Sequence, residues 1–255
     1  MVDITSAAGE ITDFLEEYLD RSGAEGYVLG VSGGLDSAVT LQLAVDAVGS
    51  DRVTGLVMPG QPSRAENVAD ARELCETLGV TAHEIGIEPV VEAFSGAAPF
   101  DPGREAAGNL RVRARMVLTY MVANQEDLLV CGSSNKSEVM LGYFTKHGDG
   151  AADVKPLADL YKTEVRELAE HLDLPETFVE KQPTAGMWAG QTDEDELGYT
   201  YETIDAVLVP LVEDGKSVDA VAEETGIDRD AVETIAAMHE DSSHKREPAP
   251  APGLR

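Results

Sequence analysis

Residues 27–38, YVLGVSGGLDSA, restrict what this chain can fold into more than any other stretch. Tyr27, Val28 and Leu29 make the short apolar run of a buried strand, and Gly30, Ser32, Gly33 and Gly34 then bring the backbone into a turn that larger side chains would block. From Asp36 the period changes: Leu41, Ala44, Val45 and Val48 fall at i, i+3, i+4 and i+7, the apolar face of a helix expected to begin near Ser37. Strand, turn and helix in that order aim unpaired N–H groups and the positive end of a helix dipole at one point, which suits phosphate or pyrophosphate. Neither G-x-x-x-x-G-K-[ST] nor G-x-G-x-x-G fits the spacing. Where a P-loop has its lysine this turn has Asp36 and Ser37, so the expected counter-charge is a magnesium ion on Asp36.

The rest of the chain alternates strand and helix patterns. A helix is expected over 3–22, strands at Val53–Met58, Thr81–Ile85 and Leu128–Cys131, and helices over 64–78, from Pro89, and from Asn109 to Asn124. The stretch Phe94–Gly108, rich in Gly, Pro and Ala, reads as a loop. This order predicts an α/β fold, a doubly wound parallel sheet with helices on both faces, Rossmann-like, whose ligands lie at the carboxyl ends of the strands. Arg111, Arg113 and Arg115 stand out in an acidic chain; Arg113 and Arg115 are not expected to share a helical face with Arg111, for which pairing with surface carboxylates is the plainer role.

Composition narrows the function classes. Against 19 Lys and Arg stand 48 Asp and Glu, a net charge of −29 spread along the whole length, which repels nucleic acid and anionic lipid. The same surface repels itself in dilute salt, so a high-salt cytoplasm is the expected setting. No apolar run is long enough to span a membrane, and the acidic, alanine-rich residues 1–10 do not resemble a signal sequence. Cys75 and Cys131 read as buried small hydrophobes rather than a disulfide or a metal site.

After the fourth strand comes a loop, Gly132 to Asn135, with Glu138 three residues further on, placed where a carboxylate meets a magnesium ion held by Asp36. Residues 142–154 have too few apolar positions for a regular element and crowd Lys146, Asp149 and Asp153 close to Lys155 and Lys162; loops of this kind are commonly functional. Only seven lysines occur in the chain, so three within 17 residues are conspicuous.

SGGLDS at Ser32–Ser37 resembles the SGGxDS signature of the PP-loop ATP pyrophosphatases, which cleave ATP between its α and β phosphates. Ser133 to Lys162, KQPTAGMWAGQTDEDELG at Lys181–Gly198 and HKR at His244–Arg246 resemble the ammonia-dependent NAD synthetases, in the right order from residue 27 to 246. The resemblance implies ATP-dependent amidation of deamido-NAD with ammonia through an acyl adenylate, releasing AMP and pyrophosphate. It implies that Gly30, Val31, Ser32, Gly33, Gly34, Leu35, Asp36 and Ser37 cradle the ATP phosphates, with Ser133, Lys162 and Thr184 also on ATP. By the same resemblance Asp36 and Glu138 are magnesium ligands, and Arg113, Lys146, Asp153, His244 and Lys245 hold deamido-NAD. Ser133 stands where the family more usually has threonine. Lys146 and Lys162 are expected to neutralise charge developing on the phosphates, and Asp149 is offered, on loop position alone, as the base that takes a proton from ammonium. The family is dimeric, so a homodimer with the dinucleotide site near its interface is implied.

The 26 residues before the first strand leave no room for a glutaminase, so free ammonia is the expected nitrogen source unless a separate subunit delivers it. Residues 1–246 are expected to form one domain and 247–255, EPAPAPGLR, a disordered tail. Two rival readings remain: another PP-loop enzyme such as the synthetase part of GMP synthetase, and a nucleotide-binding regulator without catalysis. Ser217–His239 has the look of a DNA-binding helix-turn-helix, but Arg229 among Asp230, Glu233 and Glu240 has the wrong sign for a phosphate backbone, so a structural hairpin is expected. Trp188 is either a lid over ATP or a core anchor, and core anchors are commoner.

Overall fold

The computed structural model describes residues 2–61, 63–188 and 190–253. Strands β1 (Gly26–Gly30), β2 (Val53–Val57), β3 (Thr81–Glu84) and β4 (Leu128–Val130) pair in parallel in the order β3–β2–β1–β4. Val28 lies opposite Thr54 on one side and Val130 on the other, so β1 is central. Its burial on both faces explains why its sequence is continuously apolar rather than alternating.

Period-2 alternation then sorts β1 between two cores. Tyr27 and Leu29 face α1 (Ile4–Ser22), α2 (Leu35–Val48), α3 (Ala65–Thr77) and α7 (Lys162–His171), in one apolar cluster with Leu15, Leu41 and Leu168. Val28 faces the other way, with Leu56 and Val130, onto α4 (Glu88–Ala97) and α5 (Arg104–Glu126). Each such fully buried aliphatic contributes about 1.5–3 kcal/mol by leaving water. The Tyr27 hydroxyl donates to the Leu15 carbonyl at 2.7 Å, fixing α1 to the sheet. The short α8 (Glu176–Val179) adds Phe178 to the first cluster, and a third cluster joins α6 (Lys136–Leu141) to α9 (Asp193–Leu197), α10 (Tyr201–Leu208), α11 (Val218–Thr225) and α12 (Arg229–Asp241).

Three expectations need correction. Most of Phe94–Gly108 is helical: α4 runs to Ala97 and α5 begins at Arg104, leaving only 98–103 as loop. Glu105, Ala106 and Ala107 are good helix formers, and Gly108 does not end the helix because it serves packing. A Cβ there would lie 2.8 Å from Met187 Cε. Helix α2 starts at Leu35, two residues early, capped by an extended Gly34. Arg111 and Arg115 do share a face, being four residues apart, and the charge of Arg111 is among the causes that lower Arg115. Arg111 makes no ion pair among the described residues and its Nε is buried without a partner, so surface pairing does not explain it.

The expected hairpin is present: α11 and α12 turn at Gly226, φ 71°, and pack as part of the third core. Of the C-terminal tail, 247–253 is exposed and without helix or strand, and the final two residues lie outside those described. Cys75 and Cys131 are buried and free, with both thiols pushed up by burial, to about 11 and about 12. No helix among the described residues is long and apolar enough to cross a membrane.

Candidate active site

The carboxyl ends of β1, β2 and β4 open into a cavity of about 460 Å³ lined by the glycine turn, by Met58 and Cys131, and by a segment from Lys181 to Asp193. The turn is shaped by its own serines. Ser37 Oγ lies 3.0 Å from Ser32 Oγ and accepts from Ser32 N, while Ser32 Oγ accepts from Gly34 N at 3.2 Å. Gly33 has φ +77°, and a Cβ on it would fall 2.0 Å from the Asn67 carbonyl oxygen, so no other residue fits there. The first N–H groups of α2 have no intrahelical partner and point at this end of the cavity.

Behind the turn, three charged groups from three elements converge. Asp36 comes from the first turn of α2, Glu138 from α6 and Lys162 from the first residue of α7. Asn135 caps α6 by accepting from Glu138 N at 3.0 Å and donates through Nδ2 to Asp36 Oδ1 at 3.1 Å, so one amide spaces the two carboxylates. The Lys162 ammonium, only 3% exposed, bonds Asp36 and lies 3.7 Å from Glu138. Burial alone would lower that ammonium; Asp36 and Glu138 outweigh it and hold it above its ordinary value. Burial, and then Asp36, push the Glu138 carboxyl up to about 8. Two carboxylates in one corner beside the glycine turn are oxygen donors of the kind suited to a hard divalent cation.

Asp205 on α10 supports this corner from behind. It accepts from Ser137 Oγ at 2.5 Å and from Thr163 N at 2.9 Å, and Ser137 Oγ accepts in turn from Lys162 N. The starts of α6 and α7, which carry Glu138 and Lys162, are thereby tied to one buried carboxylate, favourable at helix N-termini.

Asp149 also lines the cavity, where burial raises its carboxyl although it accepts from Thr145 N at 2.7 Å. Residues 181–188 and 190–192 form a strap along the cavity wall. Thr184 Oγ1 donates to the Gln191 carbonyl, Asp193 accepts from Ala185 N at 2.9 Å, and the Tyr143 and Tyr201 hydroxyls donate to Asp193. Trp188 is half-buried at the strap's tip, with the Arg104 guanidinium 4.6 Å from its ring centroid. It lines the cavity and is not part of the buried core that its residue type favours.

Gly30, Val31, Ser32, Gly34, Leu35, Asp36, Ser37, Ser133, Glu138, Asp149, Lys162 and Thr184 all line the cavity. A second group lies apart from it. Arg113 donates to the Lys146 carbonyl, Lys146 to the His244 carbonyl, and Lys245 to the carbonyls of Gly142 and Phe144. These four therefore form one cluster where the C-terminal turn α13 (Ser243–Arg246) meets the 142–154 loop. Asp153 does not join them: its carboxylate accepts from Val130 N at 2.7 Å and from the Tyr120 hydroxyl. Lys155 donates to the Gly150 carbonyl, bracing the loop.

Sequence reasoning missed Arg115, Lys181 and Asp193 as cavity residues. Lys181 was legible as one of only seven lysines and the first residue of a motif. Asp193 was hidden in the acidic run Asp193–Glu196, whose other members are more exposed.

Comparison with known proteins agrees with this geometry. The chain matches the NAD synthase family over residues 7–249. It is 46% identical to the NH3-dependent NAD(+) synthetase of Thermococcus kodakarensis, covering 96% of each chain. It is 44% identical to that of Halobacterium salinarum, covering 98% of this chain and 94% of the relative. Among solved structures it is similar to the NMN synthetase of Francisella tularensis, with a TM-score of 0.89, 37% identity and full coverage of both chains. A match over nearly the whole chain, with relatives at more than 40% identity along nearly their full length, shows that the chain belongs to the NAD synthase family.

Proposed function

We propose that this chain amidates deamido-NAD with ammonia at the expense of ATP, yielding NAD, AMP and pyrophosphate. The observation that carries the reading is the Asp36–Lys162–Glu138 corner beside the glycine turn. It offers backbone N–H groups for pyrophosphate and a buried ammonium for charge that develops as pyrophosphate leaves. The nicotinate carboxylate attacks the α-phosphorus and pyrophosphate departs, giving an acyl adenylate; ammonia then attacks the carbonyl carbon and AMP departs. Asp36 and Glu138 would hold a magnesium ion, which when bound polarises the phosphoryl oxygens. No group of three or more metal-binding side chains occurs among the described residues, so the remaining oxygen ligands would come from phosphate and water, as is usual for magnesium.

Asp149 serves in the second step as the base that takes a proton from ammonium; its raised carboxyl brings it nearer the working pH. Asp149→Asn is expected to keep pyrophosphate release and to lose about a hundredfold or more in amide formation. Full second-step activity in that variant would remove the role.

Assay of NAD formation from deamido-NAD, ATP, magnesium and ammonium chloride in molar KCl tests the reading, with glutamine replacing ammonium in parallel. NAD is expected with ammonium alone. No NAD in either mixture, from protein that still binds ATP, would return the chain to the other PP-loop enzymes. A second reading, amidation of the nicotinate mononucleotide, is favoured by the likeness to an NMN synthetase over the whole chain. Supplying that mononucleotide as the rival substrate ranks the two by kcat/KM.

The working form is a homodimer. Arg113, Val117 and Met121 recur every four residues along α5, and Val117 and Met121 are 57% and 56% exposed. A stripe of apolar side chains leading to a substrate arginine suits an interface beside the dinucleotide. Val117→Asp with Met121→Asp should convert a particle of twice 27.1 kDa into the monomer on sedimentation. The high-salt cytoplasm belongs to the same proposal.

A further inference from the structure

We infer that Lys181 is a positioning residue for the phosphate turn, holding the Gly33 peptide in the one orientation that presents Gly34 N–H to the turn's interior. The inference rests on the reading that the glycine turn takes the ATP phosphates.

The Lys181 ammonium donates to the Gly33 carbonyl at 2.7 Å and pairs with Asp70. Both side chains are largely buried, 18% and 22% exposed. Helix α3 grips the same glycine from the other side. Asn67 and Asp70 are three residues apart and so share a face; Asn67 closes its backbone carbonyl on the Cα of Gly33 while Asp70 holds the ammonium on the Gly33 carbonyl. The Phe178 ring, 5.4 Å from Nζ, backs the lysine.

A glycine at φ +77° can reorient its peptide more cheaply than any other residue. In a planar trans peptide the C=O and the following N–H point in opposite directions. Fixing the Gly33 carbonyl on Lys181 therefore fixes Gly34 N–H on the opposite side, where it meets Ser32 Oγ. Lys181 is also the first residue of the strap, so the bond that sets the turn anchors the segment carrying Thr184 and Trp188. The turn and the segment that lines the cavity beside it thus share one ammonium.

The test is calorimetric titration of ATP, and separately of deamido-NAD, into wild type, Lys181→Met, Lys181→Arg and the double variant Lys181→Met with Asp70→Leu. Lys181→Met should weaken ATP binding by about tenfold or more, the range of a lost charge-assisted hydrogen bond, and leave deamido-NAD binding within about twofold. Lys181→Arg should recover part of the loss. The double variant removes both charges, so it should regain thermal stability over the single variant without regaining ATP affinity. Unchanged ATP affinity in Lys181→Met, or ATP affinity restored in the double variant, would overturn the inference, the latter because Lys181 would then only neutralise Asp70. A wild type that takes deamido-NAD but gives no ATP signal would instead overturn the ATP reading, and the inference with it.

Discussion

Lys162→Met is expected to lower kcat/KM for NAD formation by about a thousandfold or more, and to stop pyrophosphate release as completely as amide formation. Lys162 is the ammonium that bonds Asp36 and lies near Glu138, and Asp36 and Glu138 hold it charged against its own burial. Charge building on the bridging oxygen as pyrophosphate leaves therefore meets a fixed cation in a site walled from water, where such an interaction is worth more than in solution. Arginine is not expected to rescue, because a side chain 3% exposed and held on two sides has no room for a planar guanidinium. The variant should still fold. Removing one partner of a buried pair costs about 3–5 kcal/mol, but Lys162 is a group that holds the Glu138 carboxyl down, so its loss makes Glu138 hold a proton more readily and offsets part of that cost. Circular dichroism checks the fold, and separate assays of pyrophosphate and NAD locate the defect. Retained pyrophosphate release with lost NAD would move Lys162 to the second step.

That corner also marks where sequence could and could not be read. The 27–38 stretch was legible because strand, turn and helix are local: apolar run, glycines and change of period lie within 22 residues, and the predicted sheet follows from repeating that unit. Glu138 and Lys162 were legible only by resemblance. Nothing in their own neighbourhoods says that α6 and α7 start at the same point; that is decided by Asp205, more than 40 residues downstream, bonding Ser137 Oγ and Thr163 N.

The misreadings have a common cause. The stretch Phe94–Gly108 reads as a loop by its Gly, Pro and Ala content, yet Gly108 serves packing inside a helix, and its partner Met187 is 79 residues away. Trp188 was weighted toward the core by residue type, while its neighbours Arg104 and Gly108 belong to a helix start that the loop reading had removed. Lys181 fell inside a quoted motif, but its use depends on Asp70 and Gly33, over 100 residues away. Contacts between distant segments leave no periodic trace, and the site is made mostly of them.

Raising KCl from 0.1 M to 2 M is expected to raise the melting temperature by roughly 10 °C or more. Of 48 carboxylates, eleven make an ion pair among the described residues, and two of those, Asp36 and Glu138, lie in the cavity. Apart from a few buried ones such as Asp193 and Asp205, the remainder lie unpaired at the surface of a chain whose net charge is −29. Folding concentrates that charge, and unfolding relieves it. The Debye length falls from about 10 Å at 0.1 M to about 3 Å at 1 M, so molar salt screens all but the nearest neighbours. Several kcal/mol of repulsion removed from the folded state, at about 2–4 °C per kcal/mol for a chain of this size, gives the expected shift. Sucrose, which stabilises by exclusion from the surface without screening, separates the two effects: a rise with KCl well beyond the rise with sucrose is the electrostatic result. A melting temperature that falls as KCl is raised would show that this acidic surface is not adapted to salt, and that it serves solubility alone.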